Sequence, residues 1–221
     1  MTATVYTLTP SLRERCVPVH VRDPRGNWGA TGGEGAQGPP SSPGGRSYYS
    51  TPRDFMRLLR MLLRGGELDG VRILSAASVA AMTAPQIGPL TVPATLTTAD
   101  PSASATFPVG AGHTWGLGLL LNREDLPGRR RAGSGAWSGL ANTHFWVDPT
   151  SGIAGAFFAQ FTPFATPESM AVFRRFEEAV YAHLVPRTPH EDDVLREAHA
   201  RPARDLQPGR RHRPGAAGDH Q

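Results

Sequence analysis

The sequence predicts an α+β fold, an antiparallel sheet flanked by helices, and three features of it point there. Between Trp115 and Gln160, apolar runs alternate with short turns rich in Gly, Pro, Asn and Asp. Connections that short join antiparallel neighbours, since a parallel crossover needs a dozen residues or more. Ahead of this region, Phe55, Leu58, Leu59, Leu62 and Leu63 recur at helical spacing. Behind it, Met170, Phe173, Phe176, Val180, Tyr181 and Leu184 form a second apolar stripe, which predicts a helix packed across the sheet.

The elements follow in order. Residues 4–22 contain two β-branched pieces, Thr4 to Thr7 and Cys16 to Val21, read as short extended segments. Asp23-Pro24-Arg25-Gly26-Asn27 is a turn. Residues 29–46 are almost wholly Gly, Pro, Ser, Ala and Thr, which reads as a loop or disordered insert. Ser50 or Thr51 caps a helix with Pro52 at its first position, and Gly65-Gly66 ends it. Leu68 to Leu74 reads as a tight turn and a short extended piece, and Ser75 caps a second helix that ends near Pro85. Residues 86–112 read as a long surface loop. Strands are predicted over Trp115–Leu121, about 132–138, Asn142–Val147 and Gly152–Gln160, and the last helix starts at Thr166-Pro167-Glu168. These elements make one domain over residues 1–186, followed by a charged, Pro- and Gly-rich tail, 187–221, expected to be disordered.

Composition removes several kinds of chemistry. All 23 basic residues are arginine, so no lysine base and no lysine Schiff base is available within the chain. The single cysteine, Cys16, allows no internal disulfide and no Cys-based zinc site, and the eight histidines show no metal-ligand spacing. The Gly-rich stretch from Gly26 to Gly45 lacks Gly-Lys-Ser/Thr and is no phosphate loop. Neither a cofactor nor a metal is expected. The net charge is +4, and Arg201, Arg204, Arg210, Arg211 and Arg213 lie among Pro and Gly in the tail, with no basic stripe interleaved with aromatics; a nucleic-acid partner is not expected. Arg129-Arg130-Arg131 reads as a solvated turn, His144 as a structural strand histidine and His183 as a rim residue. With no apolar run long enough to span a bilayer and no leader pattern, the compartment stays open and cytoplasmic is the default; the oligomeric state stays open too.

Three stretches carry a resemblance. The first runs from Ser50-Thr51-Pro52 through Arg64-Gly65-Gly66-Glu67-Leu68-Asp69-Gly70 to Ile73-Leu74-Ser75. The second is Trp115-Gly116-Leu117-Gly118. The third is Gly133-Ser134-Gly135-Ala136-Trp137-Ser138-Gly139 followed by Thr143-His144-Phe145-Trp146-Val147-Asp148-Pro149. In this order they resemble the C-terminal part of the β-lactamase and penicillin-binding-protein-like serine hydrolases, in the class C β-lactamase and esterase branch. The resemblance covers about residues 3–185.

The resemblance implies ester or amide hydrolysis through an acyl-enzyme. Family enzymes use a Ser-x-x-Lys nucleophile, a Tyr-x-Asn element and a Lys-Thr-Gly-like strand edge. Only the third maps onto this chain, with Trp137, Ser138 and Gly139 as substrate-binding residues and the Leu140 backbone N–H as oxyanion donor. Trp137 would replace a cationic lysine by an aromatic wall, favouring uncharged esters over the carboxylate of β-lactams. Ser-x-x-Lys requires a lysine, and none of Tyr6, Tyr48, Tyr49 and Tyr181 has an asparagine two residues on. The expectation is therefore a truncated chain, by a late start codon or a broken reading frame, inactive alone, whose small-molecule substrate belongs to the complete enzyme. A non-catalytic binding module and a non-functional remnant are the alternatives.

Overall fold

The structure, a computed structural model, describes residues 1–23, 25–31 and 48–184. All of them belong to one unit, Met1–Pro186. The tail and residues 32–46 of the expected insert lie outside the described residues.

Five strands make the central sheet: β7 (His113–Trp115), β8 (Leu120–Asn122), β9 (Gly135–Gly139), β10 (Thr143–Asp148) and β11 (Ile153–Phe157). Their order is β11-β10-β9-β8-β7 and every pairing is antiparallel, the meander expected from the short connections. Alternation along the strands sends successive side chains to opposite faces. On one face Phe145, Val147, Ala154 and Ala156 pack against α2 (Pro52–Leu63), through Leu59, Met61 and Leu62. On the other face Trp146 and Ile153 pack against Phe173 and Tyr181 of α4 (Pro167–Leu184). The result is a layer of helix, sheet and helix, with α3 (Ala76–Met82) beside α2 through Val79.

Helix α2 begins as its sequence predicts. Thr51 Oγ1 accepts from the Asp54 N–H at 3.2 Å, and Pro52 occupies the first turn. Asp54 in turn accepts from the Ala3 N–H (2.8 Å) and the Thr4 hydroxyl (3.1 Å), tying the N-terminal segment to the helix. Ser75 caps α3 in the same manner, accepting from the Ser78 N–H.

Several expectations are corrected. Trp115–Leu121 is not one strand, because a turn at Gly116-Leu117-Gly118 splits it into β7 and β8. Gly116 lies so close to the Met82 carbonyl that a Cβ would collide with backbone, and Gly118 has φ +79°, in the left-handed region. Cys16 is not in a strand: it follows the short helix α1 (Pro10–Arg13), and β1 is confined to His20–Arg22. Gly29 and Ala30 belong to β2 (Trp28–Ala30), paired with β1, rather than to the loop. The 86–112 loop carries a two-stranded pair, β5 (Thr95–Leu96) with β6 (Phe107–Pro108). The Leu68–Leu74 turn is a hairpin of β3 (Glu67–Leu68) and β4 (Val71–Arg72).

The apolar stripes are also rotated. On α2 Met61 is buried and Leu58 is exposed. On α4 the buried line is Ser169, Phe173, Glu177 and Tyr181, while Phe176 and Leu184 are exposed. Two polar residues stay buried because each has partners. Ser169 bonds the Thr166 carbonyl. Glu177, fully buried, holds Arg130 at 3.0 Å and Arg129 at 3.5 Å. The arginine run is therefore not a solvated turn: Arg130 is buried, and Arg129 is mostly covered. Burial pushes the Arg129 guanidinium below its ordinary pKa, with the Glu177 carboxylate opposing. Beside this pair, Asp148 accepts from the Arg131 N–H (3.0 Å) and the Tyr181 hydroxyl (2.8 Å), a second tie between sheet and α4.

Candidate functional site

The candidate site is the far end of β9. Strand β8 pairs with β9 only at Leu120↔Ala136 and Leu121↔Gly135. Beyond Ala136, β9 keeps β10 on one side through Phe145↔Trp137, His144↔Ser138 and Thr143↔Gly139. No strand pairs with Trp137–Gly139 on the other side among the described residues. The three residues singled out from the sequence thus form a short open strand edge.

The pleat decides what flanks this edge. Trp137 shares a face with Phe145, and Ser138 shares the opposite face with His144. A molecule lying along the open edge meets an aromatic wall on one side and a hydroxyl on the other. Trp115 stacks edge-on to Trp137 at 4.7 Å between ring centroids, and Phe107 lies 6.3 Å from Trp137 and 5.0 Å from Phe164. All four rings are half-buried, so the edge is bordered by aromatic surface that is partly open to solvent.

The turn after β9 is held from beneath. Asn142 has φ +61° and donates its N–H back to the Gly139 carbonyl (3.0 Å). Its side chain, fully buried, donates to the Phe161 and Pro163 carbonyls (2.9 and 3.0 Å) and accepts from the Ala165 N–H (3.0 Å). Thr143 adds a bond from its hydroxyl to the Ala159 carbonyl. Leu140, at the tip, is 55% exposed, and among the described residues no turn or loop bond engages its N–H. A backbone donor on a pinned turn is the kind of group that stabilises a developing oxyanion.

Sequence reasoning missed His144 as a member of this site. Its imidazole Nδ1 lies 2.8 Å from Ser138 Oγ, and the ring stacks on Phe173 at 4.3 Å with 14° between planes. Burial, followed by the Arg130 charge, lowers its pKa from 6.5 to about 4, so the ring is neutral over the ordinary range. The signal was available in the hairpin register: a Gly139–Asn142 turn sets Thr143 opposite Gly139 and hence His144 opposite Ser138. Trp115 and Phe107 were missed for a different reason, since they come from segments 22 and 30 residues upstream of Trp137 and only tertiary packing joins them.

A family model described as Beta-lactamase matches residues 1–179, most of the chain. The chain belongs to the Beta-lactamase family. Its relatives include the monacolin J acid methylbutanoyltransferase of Aspergillus terreus, 30% identical over 145 residues, which is 63% of this chain and 34% of that protein. The ML-236A carboxylate methylbutanoyltransferase of Penicillium citrinum is 27% identical over 152 residues, 64% of this chain and 34% of its own length. The chain thus spans about a third of the length of these curated relatives. Among solved structures, simvastatin synthase (LovD) from Aspergillus terreus superposes with a TM-score of 0.69 at 25% identity, over 83% of this chain and 47% of that one. The β-lactamase/transpeptidase-like fold expected from the sequence is therefore the fold of the chain, over part of its relatives' length.

Two other features of this β-lactamase relative carry less chemistry. A cavity of about 220 Å³ lies between α2, α3 and the sheet, lined by Leu62, Val79, Met82, Leu119, Val147 and Pro149 among others. It sits at the Val147 end of β10, roughly 14 Å along the strand from Thr143 by the usual rise per residue, and no titratable group lines it. Among the described residues no group of three or more His, Cys, Asp or Glu is placed to hold a metal, and no helix is long and apolar enough to cross a membrane.

Proposed function

We propose that these residues form the pocket-wall half of a β-lactamase-related serine enzyme that processes an ester through an acyl-enzyme. The observation that carries this reading is the open edge of β9, ending in the pinned turn with the Leu140 N–H at its tip. Leu140 serves as a backbone oxyanion donor, Trp137 as the apolar wall for the acyl or alcohol part, Ser138 as a hydroxyl toward a substrate oxygen, and Gly139 as the position where close approach meets no side chain. With no lysine among the 221 residues, a Ser-x-x-Lys nucleophile has to come from outside them. The aromatic border and the absence of a lysine at position 137 support an uncharged ester rather than a β-lactam carboxylate.

The relatives favour one refinement. Two of them are named as methylbutanoyltransferases, which supports transfer of the acyl group to an alcohol as a second outcome beside hydrolysis. The partly apolar edge suits an organic acceptor that excludes water.

The test has two arms. The chain alone, incubated with a fluorophosphonate serine probe, a chromogenic ester and a chromogenic cephalosporin, is expected to show no label and no turnover above background. The reading frame extended upstream to an in-frame Ser-x-x-Lys is expected to label at that serine. There, Leu140→Pro, which removes the N–H, should lower kcat by roughly 100- to 1000-fold, the usual effect of losing one oxyanion donor. An upstream frame without such a motif would sink the enzyme reading and leave the binding module.

A further inference from the structure

We infer that His144 is a positioning residue that turns the Ser138 hydroxyl into a directed hydrogen-bond donor at the open edge of β9. The inference rests on the reading of that edge as an acyl site, and it adds a residue that acts through another. Only 1% of His144 is exposed; its Nδ1 is 2.8 Å from Ser138 Oγ, and its Nε2 is buried with no hydrogen-bond partner.

Those three facts select a tautomer. If Nε2 carried the proton, a buried N–H donor would be left without an acceptor, the rarer and costlier kind of orphan. If Nδ1 carries it, the N–H donates to Ser138 Oγ and only an acceptor lone pair is left unmet at Nε2. Stacking on Phe173 and the Phe164 ring at 5.8 Å keep the imidazole from rotating to exchange the two nitrogens. The burial that keeps the ring neutral also preserves this single-donor state. With Ser138 Oγ accepting from His144, the hydroxyl proton of Ser138 is left free of the pair, on a half-buried residue at the open edge of β9. There it can donate to a carbonyl or ester oxygen of a molecule on the β9 edge. The ligand class is therefore one with an acceptor oxygen placed beside an apolar group that Trp137 covers.

The alternative in the same geometry is a nucleophilic pair, with Ser138 attacking and His144 taking its proton. Nothing supports the imidazolium that such a step would create, since no carboxylate faces Nε2 and Arg130 is the charge it feels. The arrangement orients a hydroxyl rather than activating it.

The experiment uses the full chain and two variants. His144→Phe keeps the ring stacked on Phe173 and removes the bond, and Ser138→Ala removes the hydroxyl. Isotope-edited NMR of the imidazole nitrogens should show Nδ1 protonated in the wild type, and the Nδ1 signature should change in Ser138→Ala. NMR titration with ethyl benzoate and with propylbenzene, a probe of similar shape without acceptor oxygens, separates orientation from packing. Each variant should weaken ethyl benzoate binding by roughly 2- to 10-fold, the worth of one hydrogen bond, with propylbenzene unchanged and the double variant no weaker than either single one. An Nε2-protonated ring, equal losses for both probes, or Ser138→Ala weakening the ester where His144→Phe does not would each overturn the proposal. Labelling of Ser138 by a serine probe would overturn it as well, in favour of a nucleophile. If the wild type binds neither probe, the acyl-site reading fails, and the imidazole tautomer alone then decides the role of His144.

Discussion

Replacing Glu177 by alanine is the sharpest test of how the two halves of this fold are joined. Glu177 is fully buried on α4, and its carboxylate holds the Arg130 side chain, 10% exposed, at 3.0 Å and the Arg129 side chain, 23% exposed, at 3.5 Å. Removing it takes the paired carboxylate from two guanidinium groups with little water, and Glu178, a smaller attraction on Arg129, does not replace it. Breaking a buried pair from one side costs about 3–5 kcal/mol. For a domain of this size each kcal/mol moves Tm by about 2–4 °C, so a fall of roughly 6–20 °C is expected in thermal melts followed by circular dichroism at neutral pH. Salt should change the difference little, because covered charges are weakly screened. Replacing all three, Glu177→Leu with Arg129→Met and Arg130→Met, should recover most of the loss, as apolar substitutes for buried pairs usually do. The exposed pair Arg72–Glu67 (2.7 Å, side chains 50% and 43% exposed) is the control, and Glu67→Ala should cost under about 1 kcal/mol. A Glu177→Ala protein melting within about 3 °C of the wild type would refute the assignment of the arginine run to the interior.

Acid should destabilise the chain in a window set by its buried histidines. Burial depresses His144 to about 4, and it also lowers His113, so the unfolded chain binds more protons than the folded one. Stability should therefore be fully present above about pH 6.5 and fall as pH drops toward 4, by on the order of 3 kcal/mol from His144; His144→Phe should flatten that slope in urea titrations. Gly155→Ala would drive a Cβ into the Trp146 indole on the α4 face, and should lower stability by about 1–3 kcal/mol in the same titrations. Leu58, Phe176, Leu117 and Leu184 are exposed apolar side chains, so purified chain should bind a hydrophobic dye; a sharp cooperative melt with no dye binding would count against a surface that awaits further packing.

Local signals read well from the sequence and long-range ones did not. The Thr51-Pro52 start of α2, the Ser75 cap and the order of the meander all follow from neighbours a few residues apart. The apolar run Trp115–Leu121 misled because composition cannot distinguish a strand from two strands with a glycine turn; the Met82 carbonyl that requires Gly116 is over thirty residues upstream. Glu177 on the buried line of α4 misled for the same reason, since its partners lie 47 residues away and a helical pattern scores a carboxylate as outward. Trp137, Ser138, Gly139 and Leu140 were legible as a motif. Their open edge was not, because it depends on where β8 stops pairing.

That edge also explains how a chain without the nucleophile motif can still present an ordered candidate site. An oxyanion donor works because it is already in place when charge develops, not because it moves there. Here the turn that carries Leu140, the proposed donor, is fixed by Asn142, whose side chain makes three bonds to the 161–165 segment, and by Thr143 to Ala159. None of these bonds involves Trp137, Ser138 or a catalytic serine. The wall is thus organised by β9, β10 and the segment after β11, all inside the described fold, and its order does not wait on the chemistry it would serve. Substituting Asn142 should loosen the turn while leaving the sheet paired, since Gly139↔Thr143 and the rows below it stand without the side chain. In the frame carrying Ser-x-x-Lys, Asn142→Ala should therefore slow acylation with far less effect on melting than Glu177→Ala; equal damage to both would mean that the turn belongs to the core rather than to the site.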